Sequence, residues 1–146
     1  QVCEALGTKV AGEHMISVFS TLLKDGEAEV RTAAAANIVG VCSFVGFEGD
    51  AVMREIFPAL KSLAIDPSQY VRVSFAKVVT DLVPICEKEQ NTAILLGLFM
   101  QLSKDENPDV RLSIISKLAV IFQTSVSLQQ LEKSFLPAIA TLADDK

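Results

Sequence analysis

The 146-residue chain contains no Trp, one Tyr (Tyr70) and one His (His14), and only 6% of it is aromatic. Its core must therefore come from aliphatic side chains, and 50% hydrophobic content rich in Ala, Val, Leu and Ile suits helix-on-helix packing. Cys3, Cys42 and Cys86 are few, far apart and without a CxxC, so neither a metal-ligand set nor a disulfide framework is expected. Reduced thiols in a cytoplasmic or nuclear setting are the expectation, with no cofactor. His14 stands beside Glu13 with no Ser or Cys nucleophile patterned around it, so catalysis is not expected. Gly46-Phe47-Glu48-Gly49 lacks the strand before it and the Lys-Ser/Thr after it that a phosphate-cradling loop needs. The acidic groups Glu48 to Asp50, Glu87 to Glu89 and Asp144-Asp145 lack EF-hand spacing and read as solvated turns. The longest apolar run, Ala93 to Met100, is too short for a bilayer. A net charge of −5, with 13 basic residues dispersed among 18 acidic ones, argues against nucleic acid. Gln1 is not an initiator Met and no secretory signal opens the chain, so a fragment of something longer is expected.

What the chain does have is repetition. Leu102 to Ser116 reads LSKDENPDVRLSIIS, and altered copies start at Leu22, at Leu63 and, cut short, at Leu142. These leucines lie 41, 39 and 40 residues apart, and in each complete copy an Asp leads to Val-Arg at one fixed offset. Self-similarity of that period marks an all-α superhelix of stacked helix pairs, of the HEAT or armadillo kind. About three full repeats plus partial repeats at both ends are expected: 1–12 as the tail of a preceding repeat, 13–49, 50–89, 90–126, and 127–146 as the first helix of the next.

Helical periodicity fills in each pair. First helices present Met15, Ile16, Phe19 and Leu22; Ile56, Phe57, Leu60 and Leu63; Leu95, Leu96, Phe99 and Leu102; and Phe135, Leu136, Ile139 and Leu142. The first of these is expected to span Glu13 to Lys24, with Gly7 and Gly12 loosening the end of an earlier helix. Ser17, Pro58, Gly97 and Pro137 share one column, which predicts a repeated bend. Second helices bury Val30, Ala34, Ile38 and Val41; Val71, Phe75, Val79 and Leu82; and Val110, Ile114, Leu118 and Ile121. Asn107 with Pro108, and Ser68, occupy the N-cap column, where the first repeat offers only Gly26 or Glu27.

Six residues separate Asp25 from Arg31, Asp66 from Arg72 and Asp105 from Arg111. Stacking brings the Arg of one repeat near the Asp of its neighbour, which predicts a structural ladder of charge-assisted hydrogen bonds. The turns between paired helices form a ridge suited to binding other proteins: Lys24, Asp25, Glu27 and Glu29; Asp66, Ser68, Gln69 and Tyr70; Lys104, Asp105, Glu106, Asn107 and Asp109. Tyr70 is the most interesting exposed candidate, although packing of its ring on the neighbouring turn is the equal alternative.

The run Pro58, Asp66, Val71, Arg72 resembles the HEAT repeat. The strings LKDGEAEVRTAAA from Leu23, LSKDENPDVRLSIISKL from Leu102 and SFLPAIATLADD from Ser134 resemble, more narrowly, the central repeats of the scaffold (A, 65-kilodalton regulatory) subunit family of protein phosphatase 2A. The resemblance implies a horseshoe with no activity of its own, whose turns hold the phosphatase catalytic subunit together with a regulatory B-type subunit. It further implies that a central piece serves mainly the regulatory side, and that the isolated piece exposes apolar end faces through which it can self-associate. A nuclear-transport or other HEAT/armadillo adaptor would share the architecture, but would call for Asn, Trp or acidic ladders on its inner helices.

Overall fold

The computed structural model describes residues 2–45, 50–85 and 89–123, and among these there is no strand. Six α-helices follow in order: α1 (Val2–Leu23), α2 (Ala28–Val45), α3 (Phe57–Ala64), α4 (Gln69–Leu82), α5 (Glu89–Ser103) and α6 (Pro108–Gln123). A π-helical turn, Val52–Ile56, leads into α3, and a 3-10 turn, Val83–Ile85, follows α4. The odd-numbered helices form one layer and the even-numbered helices a second. α2, α4 and α6 pack side by side, while α1, α3 and α5 lie behind them.

The core runs unbroken between the layers, and α4 is its centre, touching α2, α3, α5 and α6. Val71, Phe75, Val79 and Leu82, at i, i+4, i+8 and i+11, are all fully buried. Each such side chain contributes about 1.5–3 kcal/mol of transfer free energy. Ala34 and Ala35 of α2 are buried and add nothing beyond Cβ to the core. Between α4 and α2 the Ser74 hydroxyl donates to the Thr32 carbonyl at 2.9 Å.

Three expectations need correction. The helix expected to start at Glu13 begins at Val2, with Gly7 and Gly12 inside it. A single Gly costs only about 1 kcal/mol in a helix, and packing against α2 and α3 outweighs it. Leu22, expected in the core, is 40% exposed while Leu23 is buried. Among the described residues α1 has a first-layer neighbour on one side only, whereas α3 lies between α1 and α5 and buries the wider arc holding both Leu63 and Ala64. Among the described residues the expected bend occurs only in the second repeat. There the Phe57 N–H bonds back to the Val52 carbonyl and Pro58, which has no N–H to give, opens α3. Ser17 and Gly97 sit inside uninterrupted helices, because both keep the N–H that Pro58 lacks.

α2 is by itself long and apolar enough to cross a membrane, a property missed by counting unbroken apolar runs because its apolarity is spread over alanines. It carries Glu29 and Arg31 in its first turns and packs between α1 and α4, so it is a layer of the stack. Phe135, Leu136, Pro137, Ile139, Leu142 and Asp145 lie outside the described residues, as does the side chain of Ile121.

Candidate functional site

The three turns between paired helices share one construction. Each first helix ends on a bond from an Asp N–H to the carbonyl three residues back, Asp25 to Leu22, Asp66 to Leu63 and Asp105 to Leu102, at 3.1–3.4 Å. The Asp Oδ1 then accepts the N–H of the residue two further on, Glu27, Ser68 or Asn107, at 2.9 Å in every case. This Asx turn takes over the role expected of the cap column. Ser68 has N-cap backbone geometry but its hydroxyl makes no cap bond, and only Asn107 caps with its side chain, accepting from the Asp109 N–H at 2.8 Å.

The arginines join one turn to the next. Arg31 donates from Nε and Nη2 to the two carboxylate oxygens of Asp66 at 2.8 and 3.0 Å. Arg72 does the same to Asp105 at 2.7 and 3.1 Å. The third nitrogen, Nη1, turns back to the carbonyl of its own turn, at Asp25 for Arg31 and Asp66 for Arg72, both at 2.7 Å. Arg111 makes the same backward contacts, to the carbonyls of Asp105 and Glu106. The Arg31 and Arg72 guanidiniums thus each tie down a turn within one repeat and grip the following one, a planar fork that Lys cannot imitate.

These pairs are desolvated: Asp66 is 7% and Arg72 8% exposed. Hydrogen bonding to Asp66 and Asp105 holds Arg31 and Arg72 above the usual guanidinium range. Burial pushes the Asp105 carboxyl up, but the Arg72 hydrogen bond, the Asn107 N–H and the charges of Arg72 and Arg111 prevail and hold it below the usual carboxylate range.

The expected ridge residues therefore divide. Asp66 and Asp105 spend their carboxylates inside the stack, whereas Lys24, Glu27, Glu29, Tyr70, Lys104, Glu106 and Asp109 are exposed along its edge. Tyr70 is 68% exposed, so its ring is not packed away on a neighbour. Sequence reasoning missed the groove between the second and third turns, bounded by Pro67 and Tyr70 on one side and Glu106 and Pro108 on the other. Pro67 and Pro108 are visible in the sequence as the only prolines in these turns, but the sequence does not show that the turns stand one groove apart. His14 is exposed on α1, and among the described residues no group of three His, Cys, Asp or Glu could hold a metal.

Comparison with known proteins fits this architecture. The model of the PPP2R1A-like HEAT repeat family matches residues 9–86. The chain belongs to that family. It is 41% identical over 117 residues to a human relative, the beta isoform of the 65 kDa regulatory A subunit of serine/threonine-protein phosphatase 2A, an alignment covering 79% of this chain and 20% of the relative. The mouse protein of the same name is 40% identical over 88 residues, 59% of this chain and 15% of the relative. The chain thus spans about a fifth of the length of the human relative. Within the family match fall two of the three turns and the whole Arg31–Asp66 rung.

Proposed function

We propose that this chain is a non-catalytic scaffold segment of a type 2A Ser/Thr protein phosphatase, whose turn ridge holds protein partners in a fixed spatial order. The single observation that carries this reading is the Arg-to-Asp ladder in a chain of this family. Two successive bidentate rungs hold three turns in a row, which is the property a support needs and a catalyst does not. The partners are regulatory B-type subunits together with the phosphatase catalytic subunit, bound by the longer protein of which this stretch is a central part. Loops carried on a rigid stack present their side chains with little ordering cost on binding. A cytoplasmic setting, extending to the nucleus, goes with this reading.

The test is capture by the full-length protein that contains this stretch, using purified catalytic and regulatory subunits. Retention of both supports the scaffold reading. Loss of regulatory-subunit retention when the exposed residues of all three turns are replaced would place that contact on this ridge. Retention of import cargo without either phosphatase subunit would contradict the reading.

A further inference from the structure

We infer that the groove between the second and third turns is a receptor for an arginine side chain on an extended segment of a partner protein. The inference rests on the scaffold reading for the existence of a protein partner, but its chemistry comes from the groove alone.

One wall offers the exposed Tyr70 ring, the other the Glu106 carboxylate, whose side chain is 91% exposed. The positive charge beneath them is already spent. Arg72 lines the groove, and two carboxylates already share its charge: Asp105 accepts from Nε and Nη2, and Glu106 Oε1 pairs with Nη2 at 3.6 Å. An incoming anion would have to compete with Asp105 for that guanidinium and lie beside Glu106. An incoming cation is the better match: a planar guanidinium can stack on the Tyr70 face while its N–H groups reach the Glu106 carboxylate, which stays 91% exposed while paired with Arg72. The chain's net charge of −5 favours the same sign of partner.

The walls are also fixed in place before any partner arrives. Asn107 Nδ2 donates to Gln69 Oε1 across the groove, and Asn107 Oδ1 accepts from the Asp109 N–H. The Ser68 and Asn107 N–H groups are each held by the Asp of their own turn. Pro67 and Pro108 further restrict the backbone on both sides. A site assembled this way loses little freedom on binding, which is what a weak single-residue anchor requires.

The probe is a Gly/Ser heptapeptide with one central Arg, titrated into the isotope-labelled chain and followed by NMR at the Tyr70 ring, beside the same peptide with citrulline, which keeps the shape and removes the charge. The Arg peptide is expected to shift the Tyr70 resonances and to bind more tightly than the citrulline peptide. Tyr70→Ala and Glu106→Gln are each expected to weaken the Arg peptide by about two- to fivefold, the worth of an exposed cation–π or ion-pair contact. Glu106→Arg should transfer the preference to a peptide with a central Glu. Equal binding of Arg and citrulline peptides, or unchanged binding in both variants, would overturn the inference. If those results came with retention of the phosphatase subunits by the full-length protein, the groove alone would be wrong. If the Arg preference held while those subunits were not retained, the scaffold reading would be wrong and the groove would stand.

Discussion

Arg31 and Asp66 face each other across the boundary between the first and second repeats, joined by two parallel hydrogen bonds of 2.8 and 3.0 Å, with Arg31 also bonded to the carbonyl of Asp25 in its own turn. With the Arg72–Asp105 rung, three turns of the chain are coupled through side chains that the two core layers hold at the edge of the stack. Arg31→Met is expected to lower unfolding free energy by about 2–3 kcal/mol, since it strands a buried carboxylate. Arg31→Lys should recover only part of that loss, because an ammonium cannot supply the fork. Urea denaturation midpoints at constant m-value measure both.

The core makes a contrasting prediction. Phe75 is fully buried at the centre of α4, and Phe75→Ala should cost about 3–5 kcal/mol from lost transfer energy and the cavity left behind. Leu112 on α6 is 60% exposed, and Leu112→Ala should stay within about 0.5 kcal/mol of the parent. Equal effects of the two in thermal melts would mean that the layers are packed differently.

How far the sequence could be read depended on what each signal encodes. The stripe Val71, Phe75, Val79, Leu82 was legible because the helical period maps directly onto one helix face, and the structure buries all four. The six-residue Asp-to-Arg offset likewise announced a contact between neighbouring repeats. The backward bonds from Arg31 and Arg72 to carbonyls were not legible, because backbone atoms leave no trace in residue identity. Nor was the continuity of α1 through Gly7 and Gly12, which depends on neighbours and not on local propensity. Leu22 and Leu23 show the same limit: both are leucine, and only the number of flanking helices decides which is covered. On the ridge, sequence alone could not separate Asp66, consumed in a buried rung, from Glu106, whose side chain stays exposed while it pairs with Arg72.

Asp105 gives the stack an acid sensitivity. Its carboxyl is held below the usual range when folded, whereas in the unfolded chain it titrates near the ordinary Asp value of about 3.9. The unfolded state therefore takes up the proton first, so this contribution is fully present above about pH 4 and is lost as pH falls through the lower folded value. Asp105→Asn should be less stable than the parent at neutral pH, and the gap should narrow below about pH 4. Urea unfolding at a series of pH values checks this, and a gap constant across the range would contradict it.

Cys42 is fully buried in α2, and burial pushes its thiol up to about 12. It should be inert as a nucleophile at neutral pH. In a chain carrying Cys3→Ser and Cys86→Ser, a thiol-reactive dye should label Cys42 only in denaturant, at a rate limited by opening of the fold.

The most direct test of the stack is a double-mutant cycle across the second rung, with Arg72→Met, Asp105→Asn and the pair measured by equilibrium unfolding. Residues joined as Arg72 and Asp105 are should couple by at least about 1 kcal/mol, the double variant being less damaged than the two single losses combined. Additivity to within about 0.5 kcal/mol would show that these repeats are not held together by the contact described, and would contradict the account.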